Sequence, residues 1–84
     1  VEGLNIDLIA YPNPTKDLLQ LKIEKYIPEQ AIYKLYSQNG MLLQTQKLNG
    51  TEATIDMRNY ATAVYLLKVL DNNKVLKTFQ IIKK

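Results

Sequence analysis

The chain has 84 residues, 46% of them apolar, no cysteine, histidine or tryptophan, and a net charge of +3. A chain of this size makes one domain that buries about 60–65% of the surface its unfolded form exposes, and its apolar content is too high for a disordered tail. Without cysteine or histidine, thiol chemistry, the usual metal sets and the commonest general base near neutral pH are all excluded. No stretch approaches the ~20 consecutive apolar residues of a membrane span. The expectation is a domain with no membrane insertion; if it is exported, its leader lies on a longer parent. Residues 1–71 hold seven basic and eight acidic side chains, whereas residues 72–84 hold Lys74, Lys77, Lys83 and Lys84 and no acid. The positive excess therefore belongs to the end of the chain. Lysines there either guard an edge strand against pairing with other chains or offer a contact surface.

Strand period dominates throughout. Leu4, Ile6 and Leu8 alternate with Asn5 and Asp7, as in a half-buried first strand. Tyr11-Pro12-Asn13-Pro14 must end any regular ladder, because each proline removes a backbone donor and fixes φ. In a sandwich such a segment is a kink where an edge strand leaves its sheet or crosses to the other. Leu19, Leu21 and Ile23 alternate with Gln20, Lys22 and Glu24, a strand with one wet face. A loop around Tyr26 and Pro28 leads to Ala31, Tyr33 and Leu35, alternating with Ile32, Lys34 and Tyr36. Asn39-Gly40 is a hairpin signal, since both residues tolerate the positive φ of a type I′ turn.

The return strand runs from about Met41 to Leu48 and ends at a second Asn-Gly, Asn49-Gly50. Thr51 to Met57 forms a fifth strand, and Arg58 to Thr62 a connection with Tyr60 over the core rim. Val64 to Leu70 is almost continuously apolar, as in a central strand covered on both faces or nearly so. Asp71-Asn72-Asn73-Lys74 turns the chain into a last strand, Val75 to Ile82, with Phe79 and Ile81 on one face. Seven strands with turn signals every 8–12 residues predict an all-β fold, an immunoglobulin-like antiparallel β-sandwich, arranged as one compact meander over residues 1–84. Residues 1–7 are candidates for part of a linker to an upstream domain.

Catalysis finds no support. Ser37 is the single serine and has no histidine to activate it. A carboxylate pair has little room for a cleft in so small a sandwich. Asp71-Asn72-Asn73 lacks the glycine and distant glutamate of a calcium loop and reads as a turn. No Gly-rich phosphate loop is present, and no cofactor is implied. Six tyrosines beside a basic tail could stack on nucleic acid, but their alternate positions suit core and rim packing, so no nucleic-acid partner is expected.

The order Tyr11-Pro12-Asn13-Pro14, Leu19-Gln20-Leu21, Tyr36 before Gly40, Ile55-Asp56-Met57, Val64-Tyr65-Leu66 and a lysine-ending last strand resembles the type A C-terminal sorting domain of the type IX secretion system of Bacteroidetes, over about residues 8–84. The resemblance implies an immunoglobulin-like fold at the C-terminus of secreted peptidases, glycosidases or adhesins. It implies recognition by the outer-membrane translocon. It also implies that a cell-surface sorting peptidase typically cuts upstream, with the cargo anchored to lipopolysaccharide or released. Tyr11, Pro12, Asn13 and Pro14 match the front motif, Gly40 the mid-chain glycine and Tyr65 the penultimate-strand aromatic. Lys77, Phe79, Ile81, Ile82, Lys83 and Lys84 fall in the terminal strand.

Ala63 departs from the family's usual glycine, which would cost roughly 1 kcal/mol if φ there is positive. Lys77, Lys83, Lys84 and the terminal carboxylate are the expected translocon contacts, whereas Phe79 and Ile81 suit the core. The alternative is an accessory sandwich that binds carbohydrate or protein for an attached enzyme, through Tyr26, Tyr36 and Tyr60.

Overall fold

The computed structural model describes residues 7–24, 30–48 and 50–84. Within them lie seven strands: β1 (Asp7–Tyr11), β2 (Leu18–Glu24), β3 (Ala31–Tyr36), β4 (Leu42–Lys47), β5 (Glu52–Asp56), β6 (Ala63–Asp71) and β7 (Lys74–Lys83). They form two antiparallel sheets, β1-β2-β5 and β4-β3-β6-β7. The expected Leu4 and Ile6, the proposed linker and the Tyr26–Pro28 loop lie outside the described residues, apart from Asp7, which opens β1. That strand continues to the prolines.

The alternation that marks the strands also sorts their side chains. In β2, Leu19, Leu21 and Ile23 are buried while Gln20 and Lys22 face out; in β3, Ala31, Tyr33 and Leu35 are buried. They meet Leu8 of β1, Ile55 of β5, Tyr65, Leu67 and Val69 of β6, and Ile81 of β7 in one core, with Met57 closing it. Each fully buried aliphatic side chain contributes about 1.5–3 kcal/mol by leaving water, and no buried side-chain polar atom among the described residues lacks a partner.

The chain is not a meander. β5 pairs with β2 (Leu19 opposite Ile55), and β6 pairs with β3 (Leu35 opposite Leu67), so the chain changes sheet between β2 and β3, β4 and β5, and β5 and β6. This is the immunoglobulin arrangement with the fourth strand moved: β4 pairs with β3 and not with β5. The connection from β4 to β5 therefore crosses between sheets and is not a hairpin; Gly50 takes φ +81° in it, while Asn49 lies outside the described residues.

The type I′ turn expected at Asn39-Gly40 does not form there. At Asn39-Gly40 only Gly40 is left-handed (φ +90°). The Gly40 N–H donates to the Ser37 carbonyl at 2.9 Å, and the Ser37 N–H to the Met41 carbonyl at 2.8 Å. That is a three-residue loop ending on a left-handed glycine. The two-residue type I′ turn is instead Asn72-Asn73, where both φ are positive (57° and 68°) between the paired Asp71 and Lys74. Asparagine tolerates this region because its short side chain can bond locally.

β6 is central, as its composition suggests, but only one of its faces is covered. Tyr65, Leu67 and Val69 are buried, whereas Val64, Leu66, Lys68 and Leu70 are half-buried on an outer face that no second layer of described residues covers. Ala63 is not left-handed; it opens β6 opposite Lys83. The loss anticipated for a missing glycine does not arise.

Candidate functional site

Among the described residues no three carboxylates converge as a metal site would need. Ser37 Oγ accepts the Met41 N–H at 3.1 Å and serves its turn. Asp71 Oδ1 accepts the Gln30 N–H at 3.3 Å, so the Asp71-Asn72-Asn73 run is turn structure. Asp56 is held down to about 2 by the hydrogen bonds from Arg58, whose Nη2 lies 2.9 Å from Oδ2, and the pair sits in water. Among the described residues, a depression lined by Gln30, Ile32, Lys47, Leu48, Asn72 and Asn73 has no aromatic side chain in its wall.

Of the tyrosines proposed for sugar, Tyr36 and Tyr60 do not share a face. Tyr36 lies on the outer face of the four-stranded sheet, with the Lys68 ammonium 5.2 Å from its ring centre. Tyr60 leans on the core with its hydroxyl accepting from Gln44 Nε2 at 2.8 Å. Tyr26 lies outside the described residues. The matched aromatic Tyr65 has a structural duty. It is 6% exposed, its hydroxyl donates to the Ala61 carbonyl at 2.7 Å, and its ring packs 5.5 Å from that of Tyr60. Near the start of the sixth strand this is the tyrosine corner of immunoglobulin-like sandwiches.

The front motif and the tail, at opposite ends of the chain, come together. The prolines stop β1 at the edge of its sheet, and the chain crosses to the other sheet, where Thr15 forms a parallel bridge with Lys83. Tyr11, Pro12, Asn13 and Pro14 are all exposed, and both X–Pro bonds are cis. Thr15 is only 1% exposed, with Oγ1 donating to the Leu18 carbonyl at 2.9 Å. In sequence it reads as mere turn chemistry after a proline, and nothing local signals its burial.

Along β7, inward positions are Lys77, Phe79, Ile81 and Lys83, set by their partners Val69, Leu67, Tyr65 and Ala63. Ile81 is fully buried and Phe79 packs partly against the core. Lys77 stands at the open rim of the sandwich, its Nζ 3.4 Å from the Leu8 carbonyl of β1 and 5.1 Å from the Phe79 ring centre. Lys83 is 7% exposed and its Nζ donates to the Lys84 carbonyl at 3.2 Å. It is not the open handle its sequence position suggests; Lys77, Lys84 and the outward Ile82, 41% exposed, are the accessible members of the set.

Charge is also gathered away from the tail. The outer face of the four-stranded sheet carries Lys34, Lys47 and Lys68, with Lys34 directly opposite Lys68, and none of its outward residues is acidic. The outer face of the three-stranded sheet mixes Lys22 with Glu24, Glu52 and Asp56. A lysine opposite a lysine costs a little stability, which Lys68 eases by leaning over Tyr36.

No curated protein matches the chain. The family model for the secretion system C-terminal sorting domain matches residues 9–84, from inside β1 to the last residue. With its two-sheet sandwich, its tyrosine corner and a front motif fastened to the tail strand, the chain belongs to that family, the type A C-terminal sorting domains of type IX secretion.

Proposed function

We propose that this domain is the export address of a cargo joined to its N-terminal side, read by the type IX outer-membrane translocon through the accessible side of the tail strand. Family membership supports a sorting signal for type IX secretion and delivery to the cell surface or beyond. The finer steps are our reading. The cargo crosses from the periplasm, a cell-surface sorting peptidase cuts upstream of the sandwich, and the cargo is anchored or released. Of the three expected lysines, Lys77 and Lys84 are offered to the receptor, joined by Ile82. Lys83 acts on the inner side, through its stem and its bond to Lys84. The observation that carries this reading is the division of labour on β7: Ile81 anchors the strand in the core while Ile82 and Lys84 project from it. A receptor that meets this surface does best with acidic groups beside an apolar contact, since charge complementarity raises the encounter rate and selects the partner.

The test is a fluorescent cargo carrying a periplasmic leader and this domain, expressed in a Bacteroidetes host. Deleting residues 79–84 would also strip Phe79 and Ile81 from the core, so surface variants are the cleaner probe. Lys77→Glu with Lys84→Glu, and separately Ile82→Asp, should each reduce surface delivery about tenfold, the equivalent of ~1.4 kcal/mol of recognition, and leave cargo in the periplasm. Delivery at the normal level by both variants overturns the reading.

A further inference from the structure

Asn13 lies 67 residues before Gln80, yet its carboxamide makes the two bonds that a neighbouring strand would make with β7. Nδ2 donates to the Gln80 carbonyl at 2.8 Å, and Oδ1 accepts the Ile82 N–H at 2.9 Å. The backbone of Thr15 continues the pattern: its N–H donates to the Ile82 carbonyl and its carbonyl accepts the Lys84 N–H, both at 2.8 Å. Four hydrogen bonds therefore occupy the side of the tail that β6 leaves free. Thr15 is itself fixed, buried and bonded to Leu18. An asparagine side chain suits this task because it holds one donor and one acceptor in a plane, like a peptide group. Aspartate keeps only the acceptor, and alanine keeps neither.

We propose that Asn13 and Thr15 are positioning residues for the export signal. They complete the edge of β7 so that Gln80 to Lys84 remain a strand and present Ile82 and Lys84 in one geometry. The front motif thus acts through the tail and does not itself touch the receptor. Closure of this edge also means that the receptor reads side chains of a folded tail and does not add its own strand to the last residues, a common mode where an edge is open. An unlatched tail would fray, since a strand bonded on one side only exchanges more readily than one bonded on both. This inference rests on the reading that the tail is the recognised element.

The experiment compares the whole domain with Asn13→Ala and Asn13→Asp by residue-resolved hydrogen exchange and by export of the fluorescent cargo. Asn13→Ala should speed exchange at the Ile82 and Lys84 amides roughly tenfold while the Leu67 and Val69 amides keep their protection, and should lower surface delivery. Asn13→Asp, which retains the acceptor for Ile82, should fall between it and the unaltered domain in both measurements. If Asn13→Ala also loosens the Leu67 and Val69 amides, the aspartate variant alone decides. Unchanged tail exchange, or faster exchange with normal delivery, overturns the latch; delivery above normal would show that an open tail is what the translocon captures and overturns it too. If delivery falls with Asn13→Ala but not with Ile82→Asp or the double lysine variant, the side-chain reading fails and the latch stands. If those surface variants block delivery and Asn13→Ala does not, the latch fails and the reading stands.

Discussion

Tyr65→Phe isolates one hydrogen bond at the corner where the chain enters β6. The ring is kept, so no cavity opens among the core residues around it, and the contact with Tyr60 is retained. What is lost is the bond from the hydroxyl to the Ala61 carbonyl at 2.7 Å. A neutral intramolecular hydrogen bond contributes about 0.5–1.5 kcal/mol net. Ala61 is exposed, so water can take up its freed carbonyl, and the larger penalty of a buried orphan does not apply. The expected loss is about 1 kcal/mol, which for a domain of this size lowers Tm by roughly 4–8 °C. Urea unfolding should show a lower midpoint with an unchanged slope. A variant as stable as the unaltered domain, or one destabilised by more than about 2.5 kcal/mol, would refute the assignment of Tyr65 as a corner bond whose partner faces solvent. Export of the same variant should follow its folded fraction, because the residue serves the fold.

Ala63→Gly, which restores the family's usual residue, should not stabilise this domain. Ala63 lies in a strand without positive φ, so glycine adds only unfolded-state freedom and should cost about 0.5–1 kcal/mol in chemical denaturation. The Asp56–Arg58 pair makes a pH-dependent prediction. The folded carboxyl sits at about 2, below its ordinary 3.8, so its contribution is present above that ordinary value and is lost as pH falls from about 4 toward 2. Water screens the pair, so the effect is small. Thermal melts of Asp56→Asn should lack this part of the acid dependence, and an identical pH profile would contradict it.

Alternation was enough to place the side chains of β2 and β3, because a strand has a period of two and one face must leave water. Leu19, Leu21, Ile23, Tyr33 and Leu35 are buried as their spacing implies. The Asn-Gly pairs were less informative. Both mark turns, but whether a turn closes a hairpin or carries the chain across the sandwich depends on which strand waits on the other side. Lys83 and Thr15 were opaque for the same reason: a lysine at a chain end and a threonine after a proline look solvated until the two ends pair.

By itself, then, the amino-acid order determined the number of strands, the buried faces of β2 and β3, the all-β class and, through the spacing of its motifs, the family. Only the tertiary structure decided which strands are neighbours, that β4 joins β3, and that Asn13 and Thr15 hold the tail. Periodicity is a local property that each segment carries on its own. Strand partnership is settled between residues far apart in the chain, by whichever pairing buries every inward face at once and leaves no backbone group without a partner.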